Sequence, residues 1–371
     1  MRGEGNDSPA SFKPFCFRAL PRTPEKRIYT MSRWTRRSLL SSLLVATTSL
    51  KRGYHMSEAQ NKRERLLELL KKGTKQDYVP AAFFLHFDKA CHFGQAAVEK
   101  HLEYFRYTDM DFVKIQYERT FPPLPEIRKP EDWTKMPLYG LDFYEPQLVA
   151  VRGLVQAAKS EAPVLVTLYS SFMCAGHSVG APLLTSHLHE NPDLVKKGLE
   201  TITDSLLLFV SACIRLGVDG FYASTQGGEA GRLKDPRLFE EYIKPFDLLL
   251  MNEINRSCSF NILHVCDYHG PYADLNPYLD YPGQVVNCNP QLTTGRLSWK
   301  QISQMFKRPC MGGMDRHGIV VSGSKEEIEG EVARVLNEAP AQFILGADCT
   351  LPNDVRWDNI RSAIDAAHGR K

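Results

Sequence analysis

The sequence contains no apolar run long enough to cross a bilayer. The longest candidate near its N-terminus, Ser38 to Leu50, has 13 residues and is rich in Ser and Thr, well short of the ~20 that a spanning helix needs. A transmembrane class is therefore excluded. There is no P-loop and no G-x-S-x-G elbow, and Gly227-Gly228 and Gly312-Gly313 lack the G-x-G-x-x-G spacing. These gaps argue against nucleotide binding of the common kinds and against an α/β-hydrolase triad. A broad basic field is missing too. The formal net charge is +3, and residues 1–55 alone hold eight Arg and three Lys against Glu4, Asp7 and Glu25, so the remainder is acidic. Nothing in that balance invites nucleic acid. Nine cysteines are scattered over 371 residues, unlike the dense frameworks of small secreted domains. The pattern suits a reducing compartment, cytoplasmic or mitochondrial.

What is present divides into two parts. Residues 1–55 read as a disordered basic extension. From Lys26 to His55 there are seven Lys or Arg and no acid, a composition that fits an organellar presequence. Thr35-Arg36-Arg37-Ser38-Leu39-Leu40 resembles a twin-arginine signal, but no cleavage site of the usual kind follows; an extension without a role is the other reading. Residues 56–371 form the second part, with 43% hydrophobic residues over the whole chain to supply a large core. Ser57 and Gln60 make a capping-box pattern. Leu66, Leu67, Leu69 and Leu70 form an apolar stripe, and Gly73 is placed to end it.

Beyond that point short apolar or β-branched runs alternate with amphipathic stretches. The runs are Val79–Phe87, Asp111–Tyr117, Pro163–Ser170, Val218–Ser224, Ser259–Cys266, Gln284–Asn289, Pro309–Asp315 and Gln342–Cys349. Helical candidates between them include Gly94–Tyr107, Leu194–Leu216, Pro236–Arg256, Ser298–Phe306 and Lys325–Leu336, with Val355–His368 at the end. Alternating elements imply a parallel sheet, and eight units predict an α/β fold closed as a single (β/α)8 barrel. A doubly wound open sheet is the competing architecture. Two long loops, Thr120–Met136 and Ser171–Glu190, follow the second and third runs. In a barrel these border the catalytic mouth.

Asn261-Ile-Leu-His-Val-Cys266 carries the clearest chemistry. Alternate residues of a strand share a face, so His264 and Cys266 point the same way at a strand tip. Cys349 ends the last run, and the tips of a barrel converge. One imidazole and two thiolates suit zinc, and three ligands leave one position open as catalytic sites do. The same residue types also occur as plain core residues. Cys258, Cys288 and Cys310 are expected to pack. Asp267 and His269 follow the ligand strand, either to support it or as solvated loop residues, while His177, His187 and His189 lack a tight ligand spacing.

At four stretches the chain resembles the uroporphyrinogen decarboxylase superfamily: Leu216-Gly-Val-Asp-Gly-Phe-Tyr with Leu233–Pro245; Ile262-Leu-His-Val-Cys266; Gly312-Gly-Met-Asp315 with Glu326-Glu-Ile; and Ile344–Pro352 with Asn359-Ile. The resemblance implies a (β/α)8 barrel, active either as a porphyrinogen decarboxylase or as a zinc methyltransferase that uses methylcobamide and a thiol. The methyltransferase branch carries H-x-C plus a distant Cys, matched by His264, Cys266 and Cys349. The decarboxylase branch carries an R-Q-A-G-R segment, whereas this chain reads Ala81-Ala-Phe-Phe-Leu-His-Phe-Asp-Lys-Ala-Cys-His92 with no arginine. A small-molecule thiol is therefore the expected substrate and a polyacid the alternative. The methyl donor would be supplied in trans, with a corrinoid protein as partner. A non-catalytic zinc-binding barrel is the third reading. Strand-tip position makes Glu118 and Asp315 candidate catalytic residues. Ser224, Gln226 and Arg232 are candidates for substrate binding, and Arg119 and Arg316 join Arg232 as groups for substrate carboxylates.

A chain beginning at Met56 is expected to fold and to keep its metal, because basic Ser-rich segments bury too little to stabilise a fold. Insoluble or metal-free protein from that shortened chain, beside soluble metal-bound protein from the full one, would contradict the boundary.

Overall fold

The computed structural model describes residues 61–71 and 78–370. The basic segment 1–55, the Ser57/Gln60 capping pattern and Gly73 lie outside the described residues. The first helix, Lys62–Leu69, is capped by Asn61, whose side chain accepts from the Glu64 N–H, and it buries Leu66 and Leu69.

Seven strands form one parallel sheet: β1 (Val113–Ile115), β2 (Val164–Tyr169), β3 (Gly220–Thr225), β4 (Ile262–Val265), β5 (Val285–Cys288), β8 (Cys310–Met314) and β9 (Phe343–Ala347). A small antiparallel pair, β6 (Gln291–Leu292) with β7 (Gly295–Arg296), sits between β5 and β8 in the chain. Every large-sheet strand neighbours the next in sequence order. Each crossover therefore steps the same way, and the sheet curls. The strands are buried throughout, with Tyr169 alone only partly so, as expected when both faces of a parallel sheet are covered.

The expected first strand, Val79–Phe87, is a departure. It forms two isolated bridges, Ala81 to Leu345 and Leu85 to Leu351. The Ala82 and Leu351 N–H groups donate to the Leu345 and Phe84 carbonyls at 3.0 and 2.8 Å. On its other side Asp111 N–H donates to the Ala81 carbonyl at 3.0 Å. Pro80 has no N–H to give, which interrupts a regular ladder.

Helices occupy most of the remaining described chain, with three corrections to the expected pattern. Ser171–Glu190 is two helices, Ser171–Val179 and Ala181–Glu190, and no loop. Ser170 caps the first by accepting from the Met173 N–H, and Gly180 breaks the pair at φ +88°, a backbone state that favours glycine. Inside this unit His187 accepts from the Trp133 indole N–H at 3.0 Å, and His189 accepts from the Lys234 N–H at 3.1 Å. An 18-residue helix, Leu141–Ala158, contains Pro146 in its early turns and was absent from the helical pattern. Pro236–Arg256 is divided at Ile243 into Arg237–Tyr242 and Lys244–Ser257. No helix among the described residues is long and apolar enough to cross a membrane.

Beneath the ligand-bearing tips an aromatic floor fills the sheet's concave side. Phe84, Phe112 and Phe260 follow in ring contact at 5.5 and 5.3 Å, and Tyr222 meets Phe84 at 5.6 Å. Such edge contacts add to the area they bury. Where β3 begins, the backbone of the next strand passes very close. A β-carbon at Gly220 would stand 1.6 Å from the Phe260 carbonyl oxygen. Gly220→Ala should therefore cost about 3 kcal/mol or more, because the neighbouring backbone has to move. The denaturation midpoint of the purified variant measures this, and an unchanged midpoint would refute the close approach.

Candidate metal centre

The tips of β3, β4 and β9 open on a cavity of about 600 Å³. Strand alternation decides which side chains reach it. Lys114, Thr167, Tyr169, Tyr222, Ser224 and His264 line it, and Cys266 and Cys349 follow just past their strands. The ligand atoms of His264, Cys266 and Cys349 lie within 4.8 Å of one another, and His264 and Cys266 are buried. His264 Nε2 is 3.4 Å from Cys349 Sγ. A tetrahedral zinc with bonds of about 2.0–2.3 Å separates its donors by roughly 3.5–3.8 Å, so the observed donor set suits that ion. No fourth His, Cys, Asp or Glu joins the cluster among the described residues.

One buried amide orients the imidazole. Asn287 Nδ2 donates to the carbonyls of Met311 and Ala347 at 2.9 and 3.0 Å. Carbonyls only accept, so this end of the amide is nitrogen. Asn287 Oδ1 therefore faces Tyr222 Oη and His264 Nδ1, each at 2.6 Å, and accepts from both. With Nδ1 protonated, the lone pair of neutral His264 is on Nε2, pointing at Cys349. Tyr222 also stacks on the His264 ring at 4.9 Å.

The thiols are unequal. A hydrogen bond from Cys266 holds the Cys349 thiol well below its ordinary range, aided by His264 and Arg316, although burial opposes them. The same bond and burial push Cys266 up. Gln226 Nε2 donates to Cys266 Sγ at 3.3 Å.

Of the other expected residues, Ser224 and Gln226 are buried and face the cavity, with Ser224 in register with His264. Arg232 reaches the wall but is committed to Glu229 at 2.5 Å and lies over Phe172. Arg119 donates to the Phe143 carbonyl and is not among the lining residues. Glu118 stands behind the wall and accepts from His86 Nδ1 at 2.8 Å, so that His86 lines the cavity in its place. Burial alone would raise the Glu118 carboxyl, but the His86 bond and the nearby His92 and His101 hold it below its usual range. Asp315 is exposed and does not line the cavity. Its carboxylate accepts from the His317 N–H at 2.8 Å, shaping the turn that presents Arg316 and His317 to the cavity. Cys288 and Cys310 are buried away from the cluster.

Three residues that line or brace the candidate site escaped sequence reasoning: Asn287, His86 and Lys114. Lys114 is buried beneath the ligands, with its ammonium 4.5 Å from the Phe84 ring and 4.6 Å from that of Tyr222. Burial pushes it down to about 7. It makes no ion pair among the described residues, so it is a cation available to an anionic group entering the cavity.

The sequence profile of uroporphyrinogen decarboxylase (URO-D) matches residues 87–370. No curated protein matches the chain. Among solved structures it is similar to a methyltransferase from Methanosarcina mazei, with 15% identity, a TM-score of 0.68 and coverage of 83% of this chain and 98% of that one. It is also similar to a B12-independent methionine synthase from Shewanella in complex with selenomethionine, at 8% identity and a TM-score of 0.49, over 78% of this chain and 96% of that one. At such identities the first likeness speaks for the fold, and the second carries no argument.

Purified protein should hold about one zinc per chain, as a three-ligand site requires. Cys266→Ala and Cys349→Ala should lose most of it; Cys288→Ala and Cys310→Ala should not. Asn287→Ala should weaken zinc binding by roughly 10–100-fold. Metal analysis and chelator titration decide, and full zinc in Cys349→Ala would rule the assignment out.

Proposed function

The chain belongs to the uroporphyrinogen decarboxylase family, and from that premise we propose that it is a zinc-dependent methyltransferase that moves a methyl group onto a thiol. The observation that carries this is the convergence of His264, Cys266 and Cys349 on a sizeable cavity, with no fourth protein ligand in the cluster among the described residues. On this reading the segment Val79–Phe87 completes an eight-fold barrel, and the ligand tips meet at its mouth. Zinc held there would supply Lewis acidity, favouring the thiolate form of the acceptor near neutral pH.

The protein's own groups do the rest. Asn287 and Tyr222 keep the His264 lone pair aimed into the site. Gln226 steadies Cys266, and Ser224 and Arg232 border the place where substrate lies. His86, oriented by Glu118, offers a ring nitrogen to the cavity. Asp315 acts through the turn it shapes and makes no contact with substrate. The methyl donor, a methylcobamide or similar carrier, is brought in trans, and a corrinoid protein is the fitting partner.

The decarboxylase reading is weaker on charge. It needs several cations free to hold substrate carboxylates, yet Arg232 is paired with Glu229, and Arg316 with Asp267 and Asp348, which leaves Lys114 as the unpaired cationic side chain among the described lining residues. A non-catalytic barrel has no use for a ligand triad turned toward a cavity of this volume.

A small thiol such as 2-mercaptoethanol should bind the zinc-loaded protein with release of about one proton, read by calorimetry in buffers of different ionisation heat. His264→Ala should abolish that binding. Conversion of uroporphyrinogen to coproporphyrinogen by zinc-free protein would overturn the methyltransferase reading and restore the decarboxylase.

A further inference from the structure

Arg316 stands where four strand tips meet. It follows β8. Its Nη1 donates to Asp267 Oδ1 at 2.5 Å and lies 3.1 Å from Asp348 Oδ2. Its backbone N–H donates to Asp348 Oδ1 at 2.7 Å. Asp267 is the residue after Cys266, and Asp348 is the residue before Cys349. The second oxygen of Asp267 accepts from Asn289, just beyond β5, at 2.8 Å. The Asp348 N–H donates to the Met314 carbonyl at 3.0 Å. Both carboxylates are nearly buried, and both oxygens of each are used.

We propose that Arg316 is a positioning residue for the metal centre: it ties the tip carrying Cys266 to the tip carrying Cys349, and so sets how tightly the site holds zinc. The inference rests on the zinc reading above. Without the guanidinium, two carboxylates and two thiolate ligands crowd one buried rim, where charge repulsion is poorly screened. With it, the carboxylates are neutralised through charge-assisted bonds, and the thiol-bearing tips are held together before the ion arrives. The same contacts withdraw Arg316 from the role of holding substrate carboxylates.

The test is zinc affinity by chelator competition on the full chain. Arg316→Met should bind zinc roughly 10–100-fold more weakly than wild type, and Arg316→Lys should fall between the two. Arg316→Met combined with Asp348→Asn should recover part of the loss, since one unpaired carboxylate is gone. An arginine that only stabilised the fold would show the loss and the recovery in the denaturation midpoint of the zinc-free protein, and would leave the zinc affinity of the folded protein unchanged. Affinity of Arg316→Met within about twofold of wild type would overturn the proposal, as would a further loss in the double variant. Cys349→Ala serves as the reference. If it leaves zinc affinity intact, the metal assignment fails and this inference with it; if it weakens zinc while Arg316→Met does not, only this inference fails.

Discussion

The centre depends on a single amide. Asn287 lies in the buried middle of β5, and its two ends do opposite work. Its nitrogen satisfies the carbonyls of Met311 and Ala347, which belong to two other strands, while its oxygen receives Tyr222 and His264. No rotation of the amide serves both sides, because a flipped group would set oxygen against two carbonyls. The tautomer of His264 is therefore decided by backbone groups across the sheet. A buried, fully satisfied polar network of this kind is rigid, since every partner lost leaves an unpaired group in a dry interior.

Charge around the cavity follows the same economy. Arg232 and Arg316 face inward and are already matched by acids of the protein. Lys114 is the exception, resting on aromatic faces with no carboxylate paired to it. Among the described residues the cavity thus combines arginines already paired at its rim with an unpaired lysine on its floor.

The convergence of His264, Cys266 and Cys349 was legible in the sequence for a simple reason. His264 and Cys266 differ by two positions in a β-rich run, and period-two alternation puts them on one face whatever the surroundings. Cys349 ends the last run, and the curl of the parallel sheet brings it to the other two. The large-sheet strands were legible as buried apolar runs, Val79–Phe87 excepted, where Pro80 interrupts the ladder. The helices after β2 were hidden by Gly180 and by a histidine-rich composition that reads as a loop. Asn287, Lys114 and Glu118 show what a sequence conceals most readily. A polar residue inside an apolar strand announces that it must be satisfied, but not by whom. Asn287 and its partners Tyr222 and Met311 come from three separate strands. Glu118 was expected at the cavity from its strand-tip position, but it stands behind His86, which comes from an irregular segment with no pattern of its own.

Cys349 is 85 residues from His264 and lies at the end of the last strand. During synthesis the chain emerges N-terminal end first, and its domains fold as units. The first two donors are exposed to the cell long before the third exists. A nascent chain can therefore offer an ion only an incomplete, weakly binding pair. The three-residue cluster comes together when β9 docks against β8. On the zinc reading proposed above, an occupied centre would report that the sheet has been assembled through β9.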